Sequence, residues 1–366
     1  MSDIKVNSIR SLNGANGPEI SGTVEMNSTG AMSLPRGDTT YRGGRGRGIW
    51  GGGYGASSPY PELATLDYVQ IATTGIGYDF GDLTTARTSS GGTASATRGL
   101  FWAGRYPSTD AYNVIDYITI SSTGNSQDFG DLTYRPSTGG GAADNTRAIF
   151  AGGYNSISPY SGPSGVGSAW KYIDYATIAS TGNSSSFGEL TVGRTVRFSA
   201  SSPTRGVFGS GRVTLSTHSS GITRTNVFDY VTIATQGDAI DFGDMQASQG
   251  YVESFYGNAG NSSTRAIICS GDDAGGSGND NELSYITLAS KGNAIDFGDS
   301  IDNTAGTGGS GTSNQTRGVY RPASGNADTA LETVLIATLG NSTAFGDLNT
   351  GRRVYGSLSD AHGGLG

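Results

Sequence analysis

Ile115-Asp116-Tyr117-Ile118-Thr119-Ile120, followed by Asp128-Phe129-Gly130-Asp131-Leu132, is a phrase that this chain writes six times. Related text runs through Leu66–Ile71 with Asp79–Leu83, Ile173–Ile178 with Phe187–Leu190, and Phe228–Ile233 with Asp241–Met245. It continues in Leu283–Leu288 with Asp296–Asp299, and a worn copy closes the series at Leu331–Ile336 with Phe345–Leu348. The centre of the first half precedes the Phe of the second by 12 residues every time: Tyr68/Phe80, Tyr117/Phe129, Tyr175/Phe187, Tyr230/Phe242, Tyr285/Phe297 and Thr333/Phe345. A fixed internal spacing with a period of 48–58 residues is the mark of a repeat architecture.

Each unit carries four strand-like pieces. In the second unit, residues 97–104 are short, apolar and end in Gly, and 114–120 is rich in β-branched and aromatic residues. Residues 127–133 follow a Thr123-Gly124-Asn125 turn of the kind that joins hairpin strands. A piece of only small residues after Arg135 completes the set. No stretch has the 3.6-residue period or the length of a helix. Four short antiparallel strands repeated six times predict an all-β, six-bladed β-propeller. The small-residue piece is expected innermost, where blades crowd the axis. The first unit opens at its second strand (47–53), and 352–359 has no strands after it. Seating 352–359 inside the first blade completes the ring and removes two sheet edges. The predicted organisation is an extended N-terminal arm over 1–44 and a propeller over 45–366.

Composition limits function. Gly is 61 of 366 residues without a Gly-X-Y period, which excludes collagen. The net charge of −8 argues against nucleic acid as a partner, since that needs a basic face. No run of about 18 apolar residues is present, so no membrane insertion is expected. The N-terminus lacks the hydrophobic core of a secretory signal, and a soluble protein made without export is expected. A single Cys, Cys269, permits no internal disulfide framework and no Cys-rich metal site. It reads as a small buried strand residue.

Enzyme signatures are thin. The two histidines, His218 and His362, fall short of the two or three needed alongside other ligands at a catalytic zinc or copper. No nucleophile elbow or P-loop is present. Arg and Tyr are plentiful enough for a sialidase-type triad, but nothing singles one out. Loop acids such as Asp272, Asp273 and Asp280 read as solvated charge or a weak calcium site before they read as a glycosidase pair. The expectation is no enzyme and no cofactor. Arg36-Gly37-Asp38 spells an integrin tripeptide and reads as chance in a Gly-rich chain.

Two repeated charges stand out. Each second strand opens with Arg (Arg47, Arg98, Arg147, Arg205, Arg265, Arg317), and each PheGly is followed by an acid (Asp82, Asp131, Glu189, Asp244, Asp299, Asp347). Six identical charges suit six identical blade junctions, with Arg and acid paired by charge-assisted hydrogen bonds. A ring of Arg binding an anion on the axis is the alternative. The repeated Phe reads as core. Specificity is expected where the units vary, in the loops 105–113, 154–171, 210–226, 271–282 and 320–329 between second and third strands. The aromatic candidates for a ligand-binding loop face are Trp50, Tyr54, Tyr60, Tyr154, Tyr160 and Trp170, which beside Ser, Asn and Gly suit carbohydrate or protein surfaces.

Residues 147–154 resemble the Gly-Gly-ended second strand of a kelch blade. Asp174-Tyr175 sits where kelch repeats carry their third-strand aromatic, with Phe in place of the usual fourth-strand Trp. That resemblance implies a fold and no function. The arm over 2–18, together with the repeated Thr-Ile-Ala-Thr-Thr-Gly…Asp-Phe-Gly-Asp-Leu phrase behind an Arg-Gly-Arg-Gly entry, is similar to tail-fibre-like structural proteins of tailed phages that infect cyanobacteria. This similarity implies a virion component, multi-copy and oligomeric, assembled in the host cytoplasm. The arm apolars Ile4, Val6, Ile9, Ile20 and Val24 would attach it to other virion proteins at the tail or baseplate. The propeller would meet a host-surface glycan or protein. A capsid-surface decoration protein, a cellular kelch-type binding module and a glycan-active enzyme are the other classes considered.

Overall fold

The computed structural model describes residues 46–55, 60–105, 111–155, 168–214, 222–245, 255–269, 281–302, 309–322, 328–354 and 356–365. All belong to one compact unit, Asp38–Gly366. Blade 1 holds β1 (Arg47–Gly55), β2 (Glu62–Gln70) and β3 (Tyr78–Asp82). Blade 2 is β4 (Gly91–Ala94), β5 (Arg98–Trp102), β6 (Val114–Thr119) and β7 (Gln127–Asp131). Blade 3 is β8 (Gly140–Ala143), β9 (Arg147–Ala151), a side hairpin of β10 (Tyr154–Asn155) and β11 (Ser168–Ala169), then β12 (Tyr172–Thr177) and β13 (Ser185–Glu189). Blade 4 is β14 (Phe198–Ser201), β15 (Arg205–Thr214), β16 (Ile222–Thr232) and β17 (Ile240–Asp244). Blade 5 begins with a broken inner strand, β18 (Phe255–Gly257) and β19 (Gly260–Asn261), followed by β20 (Arg265–Cys269), β21 (Glu282–Thr287) and β22 (Ile295–Asp299). Blade 6 is β23 (Gly309–Ser313), β24 (Arg317–Arg321), β25 (Ala330–Leu335) and β26 (Thr343–Asp347). β27 (Arg352–Arg353) and β28 (Gly356–Ser359) return to pair with β1.

Six four-stranded antiparallel sheets in a ring make a six-bladed β-propeller, as the repeat predicts. The C-terminal strand closes the ring inside blade 1, with Ile49 opposite Leu358. Among the described residues the one parallel pairing is β18 with β23, where the inner strand of blade 5 leans on blade 6.

The repeated Phe is a β-bulge. In every blade the register between third and fourth strands slips at the same place, as between Ile115 and Asp116 opposite Gly130 and Asp128. Phe129 is the extra residue, and its ring turns into the core, 2% exposed. The following Gly has a special task. Gly130 holds φ at +145°, and a Cβ there would lie 2.5 Å from the backbone of Gly182 in the next blade. The hairpin turn of blade 3 docks on this spot: Gly182 N donates to Phe129 O at 2.7 Å and Ser184 N to Asp131 O at 2.8 Å. The same pair of bonds recurs at all six junctions, including Gly75 to Phe345 and Gly77 to Asp347 across the closure. Phe-Gly-acid is thus a docking strip for the next blade.

The repeated Arg is the second strap. Arg98 Nη1 reaches Ile178 O in blade 3 at 2.8 Å, and Arg147 Nη1 reaches Ile233 O in blade 4 at 2.7 Å. Arg47, Arg205, Arg265 and Arg317 reach Ile120, Leu288, Ile336 and Ile71 in the same way. The guanidinium also lies over the Tyr of its own third strand, at 4.2–4.8 Å in blades 1 to 5. That Tyr meets the bulged Phe edge-on, at centroid distances of 5.9–6.2 Å.

The repeated Arg and the repeated acid are not paired with each other at these junctions. The Arg side chains bind carbonyls and rings, and Asp82, Asp131, Glu189, Asp244 and Asp299 donate their backbone N–H to the side-chain oxygen of an Asn or Asp in the next blade. The Asp347 carboxylate accepts from Thr329 within its own blade. Their carboxylates sit at the outer edge strand, half-buried or exposed, where water serves them better than a distant guanidinium. Replacing Arg147 with Ala is expected to remove one charge-assisted bond and one ring contact, about 2–4 kcal/mol. A thermal melt should fall by roughly 5 °C.

The buried ion pairs are made by other residues. The acid one place before the Tyr is fully buried in blades 1 to 4. Arg87 bonds Asp116 at 3.1 Å and Arg194 bonds Asp229 at 2.8 Å, and Arg352 bonds Asp67. Asp174 instead takes Thr133 and Ser184 hydroxyls. These acids tie down the connector arriving from the preceding blade: Thr84 N and Oγ1 bond Asp116, as Thr191 does Asp229. Burial pulls the Arg87 and Arg194 pKa below the ordinary value, and the adjacent acids oppose the shift.

Candidate binding site

The axis is the first place to look for a ligand. The innermost strands are mostly Gly, Ala, Ser, Thr and Asn, interrupted by Phe198, Phe255, Tyr256 and Leu358 where only small residues were expected, and their short polar side chains bridge neighbouring blades. Ser201 Oγ accepts from Ala143 N, Asn261 Oδ1 from Ser201 N, and Ser313 Oγ from Asn261 N. Ser359 Oγ donates to Ser313 O. What remains is a cavity of about 60 Å³, room for a few waters and far below an organic ligand's few hundred Å³. No guanidinium of the repeat lines it. The anion-binding ring of Arg is therefore not formed: those side chains point between blades.

Residues 360–365 seal one end of this axis and touch every blade. Asp360 accepts from Arg47 N in blade 1, His362 Nε2 lies 2.6 Å from Ala94 O in blade 2, and Gln315 of blade 6 donates to His362 O. A Cβ at Gly364 would collide with Ala143 of blade 3 and Ser201 of blade 4, and one at Gly363 with Ser262 of blade 5. His362 is thus a structural histidine in the seal. Its Nδ1 accepts from Gly364 N at 3.1 Å, which places the single proton on Nε2.

Burial depresses the His362 pKa below 6.5. The unfolded chain therefore takes up this proton first, so the histidine's contribution is complete above about pH 6.5 and is lost as pH falls toward the depressed value. The expected outcome is a melting temperature that drops between pH 7.5 and 5.5 by about 2 °C more in the native chain than in His362→Gln. Equal pH slopes would contradict this assignment.

The aromatic candidates separate. Trp50 is fully buried and its Nε1 donates to Ser310 O at 3.1 Å, so it belongs to the core between blades 1 and 6. Trp170 is also buried. Tyr54 and Tyr154 are half-buried, and Tyr60 is 45% exposed with φ +55°. Tyr160 lies outside the described residues, as do the arm residues Ile4, Val6, Ile9, Ile20 and Val24, His218, the Arg36-Gly37-Asp38 tripeptide and the loop acids Asp272, Asp273 and Asp280. Trp50 fails as an exposed ligand because it is taken up in the core between blades 1 and 6, and Trp170 because the rings of Tyr134 and Tyr172 cover it.

Trp170 nonetheless builds the best aromatic surface. Tyr134, Trp170 and Tyr172 stack on one another at 5.1, 5.5 and 5.8 Å, tilted or edge-on. The Tyr134 hydroxyl lies 3.0 Å from Gly152 O and 3.2 Å from Tyr172 O, and burial raises its pKa well above 10, so it remains a neutral donor. Tyr172 alone opens to solvent, 50% exposed beside exposed Lys171. The result is one ring held rigid by two others, at the base of the β10–β11 side hairpin. A preset ring loses little freedom on stacking against a sugar or an apolar side chain. Blades 1, 3 and 4 also extend their second-to-third-strand hairpins beyond the common length, to Tyr54–Glu62, Asn155–Ser168 and Thr214–Ile222.

Tyr172 and Tyr134 were not among the sequence candidates. The signal is there: each occupies a repeat position where the second blade has Val114 and the first Thr85. Among the described residues no group of three or more His, Cys, Asp or Glu side chains is placed to hold a metal ion. No helix of the described chain is long and apolar enough to cross a membrane. No protein-family model matches the chain, and a search of curated proteins finds no match.

Proposed function

We propose that this chain is a structural protein of a tailed-phage virion. In this reading it is attached at the tail or baseplate through residues 1–44, and its propeller is a display and adhesion module. The observation that carries the display reading is where the six units agree and where they differ. They agree at the junctions, which are rebuilt six times with the same bonds, and the axis is sealed. They differ at the rim, in the long hairpins of blades 1, 3 and 4 and in the Tyr134–Trp170–Tyr172 platform. A scaffold that spends its regularity on rigidity and its variation on one rim suits surface recognition. The phage assignment rests on the similarity of the arm and the repeated phrase.

The test is a chain lacking residues 1–44, supplied during phage assembly. It should fold with the native circular dichroism and melt, and should be missing from purified particles. Incorporation at the native level would overturn the attachment role of the arm. For adhesion, Tyr172→Ala should weaken binding of the propeller to host cells at least several-fold while lowering the melt by no more than about 3 °C.

A further inference from the structure

Blade 6 departs from the repeat at three positions that meet in space. The third-strand Tyr of blades 1 to 5 is Thr333 here. The position of Thr119, Thr177, Thr232 and Thr287 becomes Leu335, and that of Thr123 and Thr181 becomes Leu339. Both leucines are more than half exposed, at 56% and 60%. Thr333 turns away, its hydroxyl donating to Gly318 O at 2.7 Å. Arg317 keeps its strap to Ile71 O and Ala72 O, and among the described residues no ring covers its guanidinium. The consequence is an open cavity of about 250 Å³ lined by Arg317, Thr333, Leu335, Leu339, Asn341 and Thr343.

We infer that this cavity is a binding site for one phenol-type aromatic ring. The fold itself displays the occupant five times. In each sibling slot a Tyr ring lies 4.2–4.8 Å from the guanidinium carbon of the homologous Arg and meets the homologous Phe edge-on. In blade 6 the cation is in place at the cavity wall, the ring is not, and two rim positions that are polar in the other blades have become leucine. A mere loss of the Tyr would leave the rim polar; two leucines at the mouth favour a ring that arrives from solvent. The guanidinium selects an aromatic face over a saturated ring of the same shape. The ring is supplied either as a free phenol or as a tyrosine side chain of another polypeptide.

The experiment follows the Leu methyl resonances of the full chain during titration with p-cresol, the side-chain analogue of tyrosine. The expected result is saturable ring-current shifts at Leu335 and Leu339, at least five-fold weaker binding of 4-methylcyclohexanol, and loss of the shifts in Thr333→Tyr, which fills the slot from within. Leu339→Thr, an exposed change that restores the residue of blades 2 and 3, should weaken p-cresol several-fold. N-acetyl-tyrosine amide binding as well as p-cresol would identify a polypeptide tyrosine as the source, and weaker binding a free phenol. No saturable shift, equal binding of the saturated alcohol, or equal binding by both variants would overturn the site.

Discussion

Arg352→Ala is expected to lower the melting temperature by roughly 7 °C, somewhat more than losing a repeat strap. Arg352 and Asp67 are both fully buried, and they pair across the closure of the ring. Arg352 also donates to Gly52 O at 2.9 Å and to Trp50 O and Thr65 O at 3.3 Å, so one guanidinium serves four acceptors in blade 1. Removing it leaves Asp67 charged and buried, a loss of about 3–5 kcal/mol. That is a large share of a net stability of roughly 5–15 kcal/mol. The double variant Arg352→Met with Asp67→Leu should recover most of the loss, because the penalty is the orphaned charge and not the absence of the pair. A single variant that melts with the native chain would remove the closure from its central place in stability.

Ending the chain at Thr350 is expected to abolish the monomeric fold. It deletes the inner strand of blade 1 and leaves β1 with an open inner edge. It also removes Val354, Leu358 and Leu365, each less than 5% exposed, and the seal over the axis. Large buried apolar side chains lost from a core cost about 2–5 kcal/mol each, so three approach the whole net stability. Size-exclusion chromatography with light scattering should find aggregate or strand-exchanged oligomer. A monodisperse monomer with the native melt would show that the six-fold ring does not depend on its closure.

The fold was legible because its two strongest signals are local. Tyr117 and Phe129, 12 positions apart, report a hairpin with a bulge, and six copies report the ring. The closure by 352–359 followed from counting strands. The chemistry of the junctions was only half legible. Arg98 and Asp131 are equally regular in sequence, which invites pairing them, yet regularity cannot tell a carboxylate from the backbone N–H beneath it. The real pairs use Arg87, Arg194 and Arg352, which follow Leu83, Leu190 and Leu348 by four residues in three units only. A three-fold signal is easily lost under a six-fold one. Trp50 was misplaced as a surface ligand although its strand, 47–53, was read correctly; small glycines on that strand leave room for large rings from the neighbouring blade, as Gly51 against Phe101 shows, and Trp50 itself is buried between blades 1 and 6. The blade 3 platform and the blade 6 cavity are both visible as departures from the repeat at Tyr172, Thr333, Leu335 and Leu339. Their meaning required knowing which repeat positions share a junction.

The most direct test of the proposed role is immunogold labelling of intact tailed-phage particles with antibody against residues 45–366. Gold at the tail end is the predicted result. Gold over the head would transfer the protein to the capsid surface, and particles without gold would contradict the virion assignment.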